Sequence, residues 1–332
     1  MRFSTPGLAI AGVVLSVVMF TGCAASAGSE PSADGPTEVT LLKGGSLDFA
    51  PIFVAEELGF FDDENIDATL KPASSGSTAD VAALLVSGEF TLGPSNVGDL
   101  GRASLQNIPL QMIVSLATVG GPEDRNNSMV VKDDGAETIG DLGESGNVLG
   151  ITGGETGVLG TLTRYAIDQD GGDSEAITIQ AVPFPQVAES VLNGTVAGGP
   201  LIQPFLTRAE ATPGVKNIGS VSAFLAADSP QVGLAANKQW IEDNPTAVEG
   251  VQRAIAHAVE WIDDPANSEE FLGILSTYLE LDTAVLEKLT MPHYSATMDA
   301  AAVQAYLDIW TEYGSLPSQV KTEDVVLEGA LD

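Results

Sequence analysis

The chain has 332 residues, with 13 Lys and Arg set against 46 Asp and Glu, for a formal net charge of −33 at pH 7. That length is enough for two ordinary domains or one large one with a substantial core. The acidic excess disfavours nucleic acid and anionic membrane surfaces as partners, because both repel it at long range, and the single cysteine rules out a disulfide framework.

Residues 1–22 have the pattern of a bacterial export signal. Arg2 is the basic head, Leu8 to Phe20 form an apolar run too short for a comfortable membrane span, and Thr21-Gly22 are the small residues before a cut. Phe20-Thr21-Gly22-Cys23 resembles the lipobox of bacterial lipoproteins, which implies that Cys23 is acylated and becomes the new N-terminus at the outer face of the cell membrane. Phe20 stands where that motif usually has an aliphatic residue, and the alternative is an ordinary secretory signal followed by a free thiol. From Cys23 to Thr37 the chain is rich in Ala, Ser, Gly and Pro and reads as a flexible tether.

The folded body opens with strand–helix alternation. Strands are expected at Val39 to Leu42, Ile66 to Leu70, Phe90 to Leu92 and Leu110 to Leu116. Helices are expected from Pro51 to Leu58 with Gly59 after its end, from Thr78 to Gly88, and from Val97 to Leu105. The alternation restarts with a strand at Val148 to Ile151, a helix at Thr156 to Asp168, a strand at Ile177 to Ala181 and a helix at Val187 to Leu192. A strand at Gly198 to Leu201, a helix at Pro204 to Ala209 and a strand at Val215 to Ile218 follow. After Gln231 to Ala236 the chain turns helical, and Asn244-Pro245 opens a long helix with Val248, Val251, Ile255, Val259 and Ile262 on one face. Further helices are expected near 268–279, 283–290 and 299–312.

Such alternation predicts α/β lobes with mainly parallel sheets. Two lobes followed by a helical tail require two crossings, expected near Met129 to Lys132 and Ala223 to Gln231. The lobes are then 38–130 together with 231–332, and 131–230. Ligands of open α/β sheets sit beyond the carboxyl ends of the strands, so two facing lobes would form a cleft.

Four loops in such positions carry Gly, Ser and Thr ahead of a helix: Gly44 to Ala50, Ser74 to Thr78, Gly93 to Asn96 and Thr152 to Gly157. Backbone N–H groups and hydroxyls there can hold carboxylate, sulfonate or phosphate oxygens, although Ser and Thr at such places also serve as plain helix caps. The ligand-contact candidates are Ser46, Asp48, Phe49, Ser75, Gly76, Ser77, Ser95, Asn96, Thr152, Glu155, Thr156 and Gln203, with Phe184 and Tyr294 behind them. Asp48 and Glu155 can meet an amine or ring N–H of a ligand, stabilise their own helix N-termini, or act as an acid/base pair in an exported enzyme.

The Gly153 to Gly160 run lacks dinucleotide-fingerprint spacing, and no P-loop, His-Glu-x-x-His or Gly-x-Ser-x-Gly motif occurs. No Asp-x-Asp-x-Asp-Gly calcium loop is present either. No cofactor and no metal are therefore expected. His257, Trp240, Trp261 and Trp310 are expected to be packing residues on the helical tail, and His293 lies in a loop that can reach a cleft.

The run GGSLDFAPIFVAEELGFFDDENID from Gly44, above all Ala-Pro followed by Phe-Val-Ala-Glu-Glu-Leu-Gly-Phe-Phe, resembles solute-binding proteins of nitrate, sulfonate, taurine and thiamine-precursor ABC importers. The resemblance continues through Ala82 to Phe90, the Thr152 to Gly157 loop, Gln203-Pro204 and Asp243-Asn244-Pro245. It implies the two-lobed periplasmic-binding-protein fold, with central mixed sheets, two hinge crossings and C-terminal helices. It further implies a monomeric, lipid-anchored receptor without enzymatic activity that closes on a small solute and docks on permease subunits. Sulfonate or taurine-like ligands come first, then a thiamine-precursor pyrimidine or an aromatic carboxylate. Gln203 stands where family members often carry an acidic residue, which removes a possible amine partner. The related pyrimidine-synthesising enzymes carry a cysteine-rich metal motif that this chain lacks.

Overall fold

The computed structural model describes residues 35–72 and 78–332. The expected export signal, Cys23, most of the tether and the candidates Ser75, Gly76 and Ser77 lie outside the described residues.

Two sheets organise the body. In the first, β1 (Thr37–Lys43) pairs in parallel with β2 (Ile66–Pro72), and Leu41 bridges in parallel to Leu92, just ahead of β3 (Gly93–Ser95). Strand β10 (Ser229–Asn237) lies antiparallel between β3 and β4 (Leu110–Val119), and β11 (His293–Tyr294) closes the edge against β4. The spatial order is thus β2-β1-β3-β10-β4-β11. The second sheet runs β7 (Thr178–Ala181), β6 (Val148–Ile151), β8 (Gly198–Leu201), β5 (Ser128–Lys132) and β9 (Val215–Ser220), with β5 antiparallel to both neighbours.

Apart from the two-residue edge strand β11, both sheets therefore share one plan, three parallel strands and a fourth separated from them by one reversed strand. In each case the reversed strand is the segment that has just arrived from the other sheet. Strand–helix alternation predicts parallel strands because crossover helices return the chain to the same end, and the mixed character enters only where the chain changes sheet. The segment expected as the first crossing, Met129 to Lys132, is itself in strand β5, and the connection occupies 120–127.

The third strand is also displaced, from Phe90–Leu92 to Gly93–Ser95, a stretch that Gly and Pro mark as loop. Pairing with β1 ends at Leu92, so Pro94 belongs to a segment held on one side only, by β10, where a missing N–H is tolerated. Gly93 has its own reason: a Cβ there would meet Val81 Cγ1 at 2.7 Å.

Helices α1 (Ala50–Glu57), α2 (Phe60–Asp63), α3 (Thr78–Ser87) and α4 (Val97–Leu105) belong to the first sheet. Helices α5 (Val158–Gln169), α6 (Phe184–Leu192) and α7 (Phe205–Glu210) belong to the second. The tail contains α8 (Lys238–Asp243), α9 (Pro245–Asp263), α10 (Ser268–Leu279), α11 (Thr283–Leu286), α12 (Ala300–Glu312) and α13 (Thr322–Val325). Helix α1 is buried from Ala50 through Ala55, as befits a helix enclosed between the sheet and the tail. Gly59 follows it at φ 75°, the left-handed C′ position that glycine occupies without strain. On α9 the stripe Val248, Val251 and Ile255 is buried, while Val259 and Ile262 are half-buried at its edge. His257 stacks on Phe60 with ring centroids 3.9 Å apart.

One apolar core joins Leu41, Phe53, Ile113, Val251 and Leu275 on one face of the first sheet. Another starts at Leu100, Met112, Val303 and Trp310 and continues past the crossings into Leu149 and Leu162 of the second sheet. Each fully buried leucine or isoleucine contributes about 1.5–3 kcal/mol, so the junction between the sheets is held by the same effect as each sheet's interior.

The crossings touch closely. Gly121 N–H donates to the Leu225 carbonyl at 3.0 Å, Val221 N–H to the Asn127 carbonyl at 3.1 Å, and Asn127 Nδ2 to Ser222 Oγ at 2.6 Å. Asp124 accepts from Gly120 N–H at 2.8 Å and from Ser220 Oγ at 2.9 Å. At Gly120, φ is 109° and a Cβ would lie 1.9 Å from the Ala226 carbonyl oxygen. Gly120→Ala is therefore expected to destabilise the protein by about 3 kcal/mol or more, combining a disfavoured backbone region with a clash against main chain. Gly146→Ala, with φ 93° and open space around it, has only the backbone term, about 1 kcal/mol. Urea unfolding of the two variants beside the parent checks the ordering.

Candidate functional site

The loop after β1 is built around a ring lying on a glycine. A Cβ at Gly44 would meet Phe49 Cε2 at 2.0 Å, so the Phe49 ring folds back across the strand exit only because Gly44 has no side chain. Ser46 precedes a single 3-10 turn, Leu47–Phe49, and its hydroxyl donates to Asp48 Oδ2 at 2.9 Å. Beneath the turn Tyr294, buried, donates its hydroxyl to the Leu47 carbonyl at 3.1 Å and meets Phe271 edge-on. Burial pushes the Asp48 carboxyl above its ordinary range, and the Ser46 hydrogen bond opposes that rise. Burial, and then the Asp48 charge, push the Tyr294 phenol well up.

At the end of β3, Asn96 is the N-cap of α4. Its Oδ1 accepts from Asp99 N–H at 2.9 Å while its Nδ2 donates to the Asp99 carboxylate, so the side chain is taken up by its own helix. Ser95, half-buried next to it, has no side-chain hydrogen-bond partner among the described residues.

After β6, Gly153 and Gly154 turn at φ 88° and 72°, and Gly154 N–H donates to the Ile151 carbonyl at 3.1 Å. Helix α5 consequently starts at Val158 rather than Thr156, with Gly157 as its cap. Thr152 Oγ1 donates to the Val182 carbonyl at 2.8 Å, tying this loop to the exit of β7. Glu155 pairs with Arg164 at 2.6 Å and lines a depression of about 560 Å³ with Asp168, Asp173, Glu312 and Tyr313. Its carboxylate is thus partnered within its own loop and helix, and no contact among the described residues joins it to Asp48.

At the end of β8, Gln203 is 7% exposed and its Oε1 accepts from Thr207 Oγ1 at 2.9 Å and Thr207 N–H at 3.3 Å. That leaves the amide nitrogen, for which no partner occurs among the described residues. The Gln203-Pro204 peptide bond is cis. Phe184, opening α6, stacks on Phe205, opening α7, with centroids 5.6 Å apart and planes 18° from parallel.

His293 lies elsewhere, on edge strand β11. Its Nδ1 is 2.8 Å from Thr118 Oγ1, and it borders a cavity of about 330 Å³ beside the crossings with Asp124, Arg125 and Asp228.

The described strand exits thus offer hydroxyls, amides, three phenylalanine rings and the half-buried Asp48 carboxyl. Residues 44–50, 93–97, 152–157, 182–184 and 202–205 contain no Lys, Arg or His. Two participants escaped the sequence reading. Phe205 was signalled only by following Gln203-Pro204 at a helix start. Arg102 was signalled by nothing but its rarity as a cation; it pairs with Asp99, lies over the Trp310 ring at 5.0 Å, and donates to the Thr156 carbonyl at 2.8 Å.

Comparison with known proteins agrees with this architecture. The nitrate/nitrite binding protein NrtA of Nostoc is 26% identical over 282 residues, covering 76% of this chain, and the chain spans 61% of that relative's length. The crystal structure of the periplasmic aliphatic sulphonate binding protein SsuA from Escherichia coli superposes with a TM-score of 0.71 at 14% identity, covering 89% of this chain and 99% of SsuA. The periplasmic nitrate-binding protein NrtA from Synechocystis gives a TM-score of 0.66 at 16% identity, covering 88% of this chain and 86% of that one. The fold is accordingly that of the periplasmic binding proteins. The model of the NMT1/THI5-like family matches residues 46–268, two-thirds of the sequence, and the chain belongs to that family.

Proposed function

We propose that this protein is the extracytoplasmic solute-binding component of an ABC importer, a monomer that captures a small organic solute between its two sheets. The observation that carries this reading is the shared plan of the sheets. In each, loops bearing Gly, Ser or Thr follow the carboxyl ends of parallel strands, β1 and β3 in the first sheet and β6 in the second, where ligands of open α/β sheets bind. The moving bodies are the first sheet with the helical tail and the second sheet with its helices, hinged at the crossings 120–127 and 221–228. Ligand contacting both bodies stabilises the closed form, which then docks on the permease subunits.

Ser46, Asp48, Phe49, Ser95 and Asn96 face the ligand from the first body, together with Ser75, Gly76 and Ser77. Thr152, Thr156, Gln203 and Phe184 face it from the second. Glu155 stabilises its own loop through Arg164, and Tyr294 supports the first loop from below. Hydroxyls and backbone N–H groups suit the oxygens of a sulfonate or taurine-like solute, in keeping with the sulphonate and nitrate binding named for the similar proteins. The stacked Phe184 and Phe205 rings and the Asp48 carboxyl favour a second ligand class, a planar one with an N–H donor, such as a pyrimidine or an aromatic acid bearing an amine.

A thermal-shift series with taurine, alkanesulfonates, nitrate, pyrimidine precursors and aromatic carboxylates separates the two. A true ligand at a hundred times its dissociation constant raises stability by about 2.7 kcal/mol and is recovered unchanged, whereas a melting curve unmoved by every compound refutes the substrate classes.

Asp48 gives a second test. Its raised carboxyl means that the folded chain holds the proton more tightly than the unfolded chain. The stability it contributes is therefore present below the unfolded value and lost as pH rises through the folded one. Asp48→Asn is expected to match or exceed the parent in stability at neutral pH without ligand, to show a flatter pH dependence in the acid range, and to bind an N–H-bearing ligand about tenfold more weakly or worse. Denaturant unfolding across that range, paired with titration calorimetry, reads all three.

Anchorage follows from Cys23. Mass spectrometry of the protein extracted from its native membrane is expected to find a lipid-modified cysteine at the new N-terminus, and an unmodified Cys23 would make the receptor a freely secreted one.

A further inference from the structure

Arg102 joins the two bodies at the loops assigned to the ligand. On its own side, its guanidinium pairs with Asp99, whose carboxylate and N–H are the two groups held by the Asn96 cap. It lies over the Trp310 ring of α12, and α12 packs against α4. On the other side, Nη1 donates to the carbonyl of Thr156, in the loop after β6 of the second sheet, at 2.8 Å. One cation thus holds Asn96 through Asp99 and Thr156 directly.

The neighbouring contacts belong to the same seam. Thr161, Tyr165 and Asp168 recur at i, i+4 and i+7 along α5 and so form one stripe. Thr161 Oγ1 lies 2.6 Å from Ser315 Oγ, the Tyr165 ring meets Tyr313 edge-on, and Asp168 accepts from the Tyr313 hydroxyl at 2.8 Å. The first two of these lie beside the apolar core that runs past the crossings, with Leu159 and Leu162 on α5 and Leu316 on the segment after α12. Arg102 is different in kind. It meets the loop ahead of α5 through a single charge-assisted hydrogen bond, with its side chain 32% exposed.

We propose that Arg102 is a positioning residue, a latch that sets the Thr156 loop against the Asn96 cap and draws the bodies toward the closed arrangement before ligand arrives. The proposal rests on the solute-binding reading, since it gives the two loops their purpose. A planar fork is needed because Asp99 and the Thr156 carbonyl are engaged at once while the flat face stacks on Trp310. A lysine ammonium offers neither the fork nor the stacking plane. Pre-setting the closed arrangement raises apparent affinity by raising the fraction of molecules able to bind.

The test uses the full-length protein and its variants Arg102→Lys and Arg102→Met, without ligand. Small-angle X-ray scattering reads the separation of the bodies, and hydrogen exchange reads the backbone amides of residues 152–157. Both variants are expected to show a larger radius of gyration than the parent and exchange on the order of tenfold faster in that loop, with an unchanged melting temperature. Scattering and loop exchange identical to the parent overturn the latch. So does a lowered melting temperature with faster exchange throughout, which would make Arg102 an ordinary packing residue. Neither readout needs a ligand, so a protein that binds none of the compounds tried still tests the latch. Conversely, tight taurine binding by both variants with parental scattering overturns the latch and leaves the solute-binding reading standing.

Discussion

The fold depends on the contact between the two crossings. Gly120 brings one crossing against the carbonyl of Ala226 on the other, and the hydrogen bonds of Gly121, Asn127 and Val221 hold the pair together. Because the crossings run side by side, each delivers its next strand into the interior of the opposite sheet rather than to an edge. That insertion makes both sheets mixed and gives their first five strands the same order. A side chain at Gly120 would disturb all of this at once, since the obstacle is main chain and cannot rotate away.

Around that junction the polar side chains are mostly spoken for. Asn96 caps α4, Thr152 ties two strand exits, Glu155 is neutralised by Arg164, and the Gln203 carbonyl holds Thr207. These bonds fix the loops in shape, and among the described residues the groups left over include the Ser95 and Thr156 hydroxyls, the Gln203 amide nitrogen, the second Asp48 oxygen and backbone N–H groups. A rigid frame with few open donors suits recognition of a small solute, because little conformational freedom is lost on binding.

Much of the fold was legible from short-range patterns. The strand at Val148–Ile151, the strand at Gly198–Leu201 and the helix at Val97–Leu105 coincide with their expected bounds, and the stripe on α9 turns inward at Val248, Val251 and Ile255. Each of these is set by neighbours within a few residues. The departures share the opposite property. Strand β3 forms at Gly93–Ser95 because β10, more than 130 residues later, lies beside it, and Met129 to Lys132 is strand rather than crossing because β8 and β9 flank it. Glu155 and Asp48 read alike as acids near helix starts. They differ because one meets Arg164 and the other, half-buried, is held by the Ser46 hydroxyl.

By itself the sequence determined the α/β alternation, the helical tail, the glycine-, serine- and threonine-bearing loops after the strands, and a likeness to solute-binding proteins carried by the run from Gly44. These follow from hydrophobic period, turn residues and caps, which act locally. Tertiary structure decided strand direction, which polar groups remain open, and the role of Arg102. All three depend on pairs far apart in the chain, such as β10 with β3 and Arg102 with Thr156, whose meeting is set by where the crossings place the two sheets.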